Sequence, residues 1–268
     1  MLNDMFIGFN STPPLWSGTQ FGVGQFDFPS VDFENFSPKS IPGNIRLGHK
    51  MEHVFAQLIE WEGSYEILLQ NISIKNGKNT IGEIDFVLSD QKRDSFLHVE
   101  LTYKFYIIDP SISEPIHRLM GPNRRDMFFT KLEKIKKEQF ALVQKEEARQ
   151  KLLERNVDLE NLEQFVCYKA QLFQPYESEK VHIRPLNNAC VVGHWLRFKD
   201  FEGSAFSSYQ FYIPFKQEWV IAPHENVQWS SHFEILMEIN LRMIKQNAPM
   251  VWMRKSQNEF EKFFVVWW

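Results

Sequence analysis

Apolar and polar positions alternate with a period of two across residues 80–88 and again across residues 96–107. In the first run Ile84, Phe86 and Leu88 point one way, and Glu83, Asp85 and Val87 the other. In the second, Leu97, Val99, Leu101, Tyr103 and Phe105 oppose His98, Glu100, Thr102 and Lys104. Successive side chains of a β-strand leave opposite faces, so both runs predict strands with their charges on a common face. Upstream, Leu47, Met51, Val54, Phe55, Leu58 and Ile59 keep the i, i+4, i+7, i+8 spacing of a buried stripe, which predicts a helix over residues 47–60. Glu52 lies about 100° around that helix from Met51, at the edge of the stripe. Residues 65–75 read as a strand, and Asn76-Gly77-Lys78-Asn79 as the hairpin turn joining it to the Asp85 strand.

Downstream, Gly121-Pro122-Asn123 is expected to open a long helix, with Asn123 as its N-cap and Asp126 complementing the positive helix end. That helix runs past Leu132, Ile135, Gln139, Phe140 and Val143 toward Arg155, and a strand over residues 165–173 follows. Residues 47–173 thus give an α-β-β-β-α-β order. Residues 1–46 are rich in Phe, Pro, Gly and Ser, without a sustained period. With Pro13-Pro14-Leu15-Trp16 and Phe26-Asp27-Phe28-Pro29 as apolar anchors, they predict an extended arm packed over the core. Residues 176–268 hold short aromatic strands at 209–215 and 218–222, a helix at 232–246, and strands at 250–253 and 263–267. The expected fold is α/β: an arm over residues 1–46, a core over 47–175, and an α+β extension over 176–268 packed on that core.

The chain's 268 residues suffice for one large domain or two modest ones, and 43 % hydrophobic with 24 % charged residues argues against a disordered polar chain. No apolar run approaches the ~20 residues that cross a bilayer, and Leu2-Asn3-Asp4 lacks the basic and apolar pattern of a secretory leader. Cys167 and Cys190 stand alone, which argues against a disulfide framework or a zinc site. The expectation is a cytoplasmic protein without a membrane partner. A net charge of −4 gives no global case for nucleic-acid binding. The local case is residues 118–155, where eleven Lys and Arg stand against six Asp and Glu, a net of +5 that leaves −9 for the rest. Such a basic helix, through Arg124, Arg125 and Lys131, can track phosphates. It can equally be a solvated face with Glu and Lys interleaved.

Two adjacent strands presenting Asp85, Glu100 and Lys104 to one side would make a small oxygen-donor site with an ammonium beside it, the type that hard divalent cations such as Mg²⁺ favour. Glu100, flanked by Val99 and Leu101, needs a partner or a metal. A Glu-bearing helix, strands carrying the Asp and the Glu and Lys, then a helix and a strand: over residues 47–173 the chain resembles the PD-(D/E)XK nuclease superfamily. The resemblance implies a restriction-endonuclease-like core in which Asp85 and Glu100 bind Mg²⁺ or Mn²⁺. It further implies that Glu52 and the Leu101 carbonyl complete the metal shell, that Lys104 places or activates the attacking water, and that Gln139 serves on the nucleic-acid side. The substrate would be nucleic acid, DNA rather than RNA.

Arg46-Leu47-Gly48, Thr80-Ile81-Gly82-Glu83-Ile84-Asp85-Phe86, Lys104-Phe105-Tyr106 and Leu119-Met120-Gly121-Pro122-Asn123 are, in addition, similar to the bacterial domain of unknown function 1853 family. Pro14-Leu15-Trp16 and Phe263-Phe264-Val265-Val266 extend that similarity to most of the chain. One departure stands out. The superfamily places its lysine two positions after the glutamate, where this chain has Thr102. Lys104 keeps the same strand face, but its Cα lies about 13 Å from that of Glu100 instead of about 7 Å.

Each residue also has a plain structural reading. Asp85 can be a surface carboxylate, Glu100 and Lys104 an ion pair, Glu52 an exposed helix acid, and His98 a satisfied strand histidine. Two functions therefore stand at this point: a divalent-metal-dependent nuclease, and a non-catalytic nucleic-acid-binding or scaffold protein that keeps a nuclease-like fold.

Overall fold

Where apolar residues recur at helical spacing the chain is helical, and where they alternate it is extended. The computed structural model describes residues 2–176, 178–179 and 181–268. In chain order it begins with α1 (Leu2–Ser11), β1 (Thr19–Gln20), β2 (Val23–Gln25) and α2 (Leu47–Glu62). Three long strands follow: β3 (Tyr65–Asn76), β4 (Asn79–Asp90) and β5 (Ser95–Ile108). After β6 (Leu119–Met120), α3 (Phe128–Lys134) passes through a π-helical turn, Ile135–Gln139, into α4 (Phe140–Leu142), then α5 (Glu146–Leu153) and β7 (Leu162–Pro175). The remainder holds β8 (Val191–Arg197), α6 (Phe198–Phe201), β9 (Gln210–Tyr212), β10 (Ser230–Ser231), α7 (His232–Ile244), β11 (Met250–Ser256) and β12 (Glu259–Val266). The fold is α/β with mixed β-sheet. Among the described residues no helix is long and apolar enough to cross a membrane.

The chain divides into two units: residues 2–103 with 130–169, and residues 104–129 with 170–268. In the first unit β3, β4 and β5 form an antiparallel meander, from Tyr65↔Asp90 and Asp90↔Ser95 inward. The expected turn at Asn76–Asn79 closes the β3–β4 hairpin. Met51, Val54, Phe55, Leu58 and Ile59 of the α2 stripe are buried, with Phe55 tilted on Phe86 at 4.5 Å between ring centroids, and Leu47 at its start is half-buried. Gly63 terminates the helix at φ 80°, its N–H bonded to the Ile59 carbonyl. That left-handed position favours glycine.

The arm differs from the extended segment its composition suggests. It begins as α1, which buries Met5, Phe6 and Phe9 and stacks Phe9 on Tyr103. Ten residues span fewer than three turns, too few for a period to stand out, and Pro13-Pro14 stops the helix. Beyond it the two predicted anchors dock on β7: Leu15 N–H to the Tyr168 carbonyl (2.9 Å) and Phe26 N–H to the Val166 carbonyl (2.8 Å).

The long helix starts later than expected. Asn123 is not its N-cap, because its Oδ1 accepts the Ala248 N–H at 2.8 Å; the helix opens at Phe128. It also ends early, since the extended backbone of Lys145 (ψ 140°) separates α5.

In the second unit β8 runs parallel to β7 (Phe173↔Gly193) and to β12 (Phe263↔His194), and β12, β11, β9 and β10 follow antiparallel. The strand expected over 218–222 is a 3-10 turn, Lys216–Val220. The Glu218 carboxylate accepts the Phe215 N–H at 2.6 Å and closes it. Gly193 sits where the backbones come closest: a Cβ there would collide with the Lys262 carbonyl oxygen and lie 2.9 Å from the Phe173 ring. Because the obstacle is backbone, Gly193→Ala is expected to cost about 3 kcal/mol in denaturant unfolding. An unchanged midpoint would contradict this packing.

Candidate functional site

Polar side chains from α2, β3, β4, β5, β7 and the helix of α3 and α4 meet in the first unit. The β4–β5 ladder runs from Asp90↔Ser95 to Phe86↔Val99. One step further stand Asp85 and Glu100. There the Asp85 carboxylate itself, through Oδ2, accepts the Leu101 N–H at 2.9 Å. On the other side of β4, Asn71 falls between the pairs Gln70↔Phe86 and Ile72↔Ile84, level with Asp85, in a left-handed conformation (φ 52°). Its amide Nδ2 donates to Glu52 Oε2 at 2.9 Å, and His49 Nδ1 lies 3.1 Å from the same oxygen.

Glu100 is fully buried and bonded at both oxygens. Oε1 meets His98 Nε2 at 2.8 Å, and Oε2 accepts from the Gln139 amide. His98 is held in turn by Gln164, whose Nε2 lies 3.0 Å from Nδ1 and donates to the Phe140 carbonyl at 2.9 Å. Gln139 also accepts from Lys131 Nζ at 3.0 Å. Cation, amide and carboxylate thus form a chain, Lys131 to Gln139 to Glu100. Its geometry depends on the π-helical turn, where Phe140 N–H reaches five residues back to the Ile135 carbonyl. Such turns insert a residue into a helix and re-aim the side chains around it. Gly82 lets the same helix come close to β4, because a Cβ there would lie 2.7 Å from Leu142.

The acids press on one another electrostatically. Burial first, and then the charges of Glu100 and Glu52, push the Asp85 carboxyl up to about 8, against the opposing pull of the Leu101 N–H and the Lys131 ammonium. The cation that acts on Asp85 is therefore Lys131 of the helix.

Lys104 lies in the second unit with its ammonium on Asp126 at 2.5 Å. Asp126, expected in the first helical turn, precedes the helix. Arg124 and Arg125 also precede it, in an exposed turn, so the free N–H groups of a first helical turn are not beside them. Arg124, at φ 56°, lays its guanidinium over the Trp268 ring at 4.3 Å.

The predicted residues that come together are thus Asp85, Glu100, Glu52, Gln139 and Lys131, with Leu101 contributing its backbone. Asn71 and Gln164 were not singled out by sequence. An asparagine in the middle of a strand is disfavoured there, which is the only signal Asn71 carries.

Among the buried polar atoms of this unit without a hydrogen-bond partner are Asn71 Oδ1, on the strand beside Asp85, and the Thr102 hydroxyl on the Glu100 face of β5. Among the described residues no group of three or more His, Cys, Asp and Glu side chains is arranged to hold a metal ion. The oxygens here that a cation could use are those of the Asp85 carboxylate, of the Glu100 carboxylate beyond its bonds to His98 and Gln139, and the unpartnered Asn71 Oδ1. They suit a hard divalent ion on two grounds. The donors are all oxygen, and the Asp85 carboxyl, pushed up to about 8, would exchange its proton for a cation.

No curated protein and no solved structure matches this chain. The family model described as domain of unknown function 1853 matches residues 32–266. Most of both units falls within that match, and the chain belongs to the domain of unknown function 1853 family.

Proposed function

We propose that this chain is a divalent-metal-dependent phosphodiesterase of the PD-(D/E)XK type, with a restriction-endonuclease-like core, that hydrolyses nucleic acid, DNA rather than RNA. The observation that carries this reading is the meeting of Asp85 and Glu100 at the end of the β4–β5 ladder, with a lysine-glutamine pair on Glu100. Asp85 and Glu100 would hold Mg²⁺ or Mn²⁺ with the Leu101 carbonyl and Asn71 Oδ1, and Glu52, whose charge reaches Asp85, adds to the negative field. The ion, when bound, polarises a phosphoryl oxygen and lowers the pKa of a coordinated water.

The chain's own residues do the rest. His98 and Gln139 fix both oxygens of Glu100, so its lone pairs stay aimed without reorganisation. Lys131 takes the place assigned by sequence to Lys104: its ammonium offsets negative charge beside Asp85 and Glu100 as it develops on a phosphoryl group. Lys104 instead steadies the turn before the helix through Asp126. The basic residues of 118–155 draw the phosphate backbone electrostatically, with affinity that falls as salt rises.

These roles separate in kinetics. Lys131→Met is expected to lower cleavage about 10²-fold, in line with loss of one charge-stabilising donor. Lys104→Met is expected to stay within about threefold, an effect on positioning alone. The reverse order would return the catalytic role to Lys104.

A second reading is favoured by one observation, the commitment of both Glu100 oxygens to protein partners. On that reading the fold binds nucleic acid without cutting it. The test is cleavage of labelled single-stranded, duplex and branched DNA and of RNA, in Mn²⁺, Mg²⁺ or chelator. Metal-dependent products that vanish in Asp85→Asn support the nuclease. Binding without cleavage in every metal supports the second reading.

A further inference from the structure

Helix α7 presents an apolar stripe to solvent as well as to its own core. Its inner face buries His232, Ile235, Ile239 and Met243. On its outer face Phe233, Met237, Leu241 and Ile244 are 73 %, 63 %, 61 % and 73 % exposed. Their spacing of four, four and three residues is that of a single helical stripe. A polar outer face would suffice for solubility, and four large apolar side chains in a row on a surface helix mark an interaction site.

We propose that this face is the seam of a two-fold dimer of the chain, in which α7 packs antiparallel on α7 of a second copy. Charge on the helix points to that occupant. Glu234, Glu238, Arg242 and Lys245 each follow a stripe residue by one position, so all four line the same flank, acidic toward the N-terminus and basic toward the C-terminus. In an antiparallel pair like flanks meet. With Phe233 opposite Ile244 and Met237 opposite Leu241, Glu234 comes level with the partner's Lys245 and Glu238 with the partner's Arg242. The flank is complementary to its own inverted copy, which a two-fold interface requires. Glu238 and Arg242 already pair within one helix at 2.7 Å, and the dimer would extend that pair into a four-charge network.

The area is sufficient. Large apolar side chains present about 150–250 Å² each. At the observed exposures the four leave about 500 Å² open per copy, or about 1,000 Å² for two. That reaches the level of about 1,000 Å² that a specific interface should clear, before the flanking side chains are added. This inference does not depend on the nuclease reading.

The test is sedimentation equilibrium of the full chain, with circular dichroism to verify folding. The wild type is expected to be a dimer in the micromolar range. Met237→Glu and Leu241→Glu, both at exposed positions, are each expected to raise the dissociation constant at least 100-fold. Glu238→Arg alone sets like charges across the seam and is expected to weaken it about tenfold, and adding Arg242→Glu is expected to restore the wild-type constant. A wild type that stays monomeric at 100 μM overturns the proposal. So does a dimer indifferent to both glutamate variants, or a monomer that instead binds phospholipid vesicles through this face.

Discussion

Asp85→Asn is expected to stabilise the metal-free protein, by on the order of 3 kcal/mol at pH 8 and by nothing at pH 4. The sign follows from where the carboxyl titrates. Burial and the neighbouring Glu100 and Glu52 charges push it up to about 8 in the folded chain, whereas an unfolded aspartate titrates near about 3.9. Between these values the folded state binds more protons than the unfolded state, so stability falls as pH rises. Below about pH 4 both states are protonated and the contribution is fully present; above about pH 8 it is lost. A separation of about four pH units has an upper bound near 6 kcal/mol, and relaxation of the site around the buried charge lowers it to about 3. Asparagine keeps the shape and can still accept the Leu101 N–H without bringing a charge. Thermal melts of both proteins from pH 4 to pH 8 measure the difference. Curves that run parallel would mean that Asp85 is ionised and relaxed in the folded state.

Glu100→Gln is expected to lower metal-dependent cleavage by at least about 10³-fold, about 4 kcal/mol of transition-state stabilisation, with little change in fold. The substitution removes one negative charge from the donor set while leaving a side chain of the same size between His98 and Gln139. Its amide must present an N–H to one of two partners, so local rearrangement adds to the loss. Circular dichroism separates the two effects: an intact spectrum with lost cleavage assigns the defect to chemistry. Cleavage within tenfold of wild type would remove Glu100 from the metal site.

Much of this site could be read from the chain because strand parity is a local property. Period-two alternation placed Asp85 and Glu100 on defined strand faces, and the helical stripe put Glu52 at an edge from which its charge reaches Asp85. The choice of lysine could not be read in the same way. Lys104 satisfies the parity rule, yet its ammonium goes to Asp126. Lys131 bonds Gln139 and its charge acts on Asp85 because a separate helix lies across β4, seated by the gap at Gly82, with Gln139 re-aimed by a π-helical insertion. Both causes are contacts between distant segments, and neither leaves a periodic trace.

The misplaced helix start has a similar origin. Asn123 has the chemistry of an N-cap, but its side chain is taken by Ala248, 125 residues away. Likewise α1 forms because Phe6 and Phe9 find partners in Phe36, Phe28 and Tyr103, not because ten residues carry a helical signature.

On the proposed function Asp85 and Glu100 form one metal-dependent hydrolytic site. Its most direct test is single-turnover cleavage of an end-labelled DNA duplex in Mn²⁺ by wild type, Asp85→Asn and Glu100→Gln, purified side by side. Products are expected from the wild type, abolished by chelator and lowered at least about 10³-fold in each variant. Equal cleavage by all three proteins, or none by any in Mn²⁺, would contradict it.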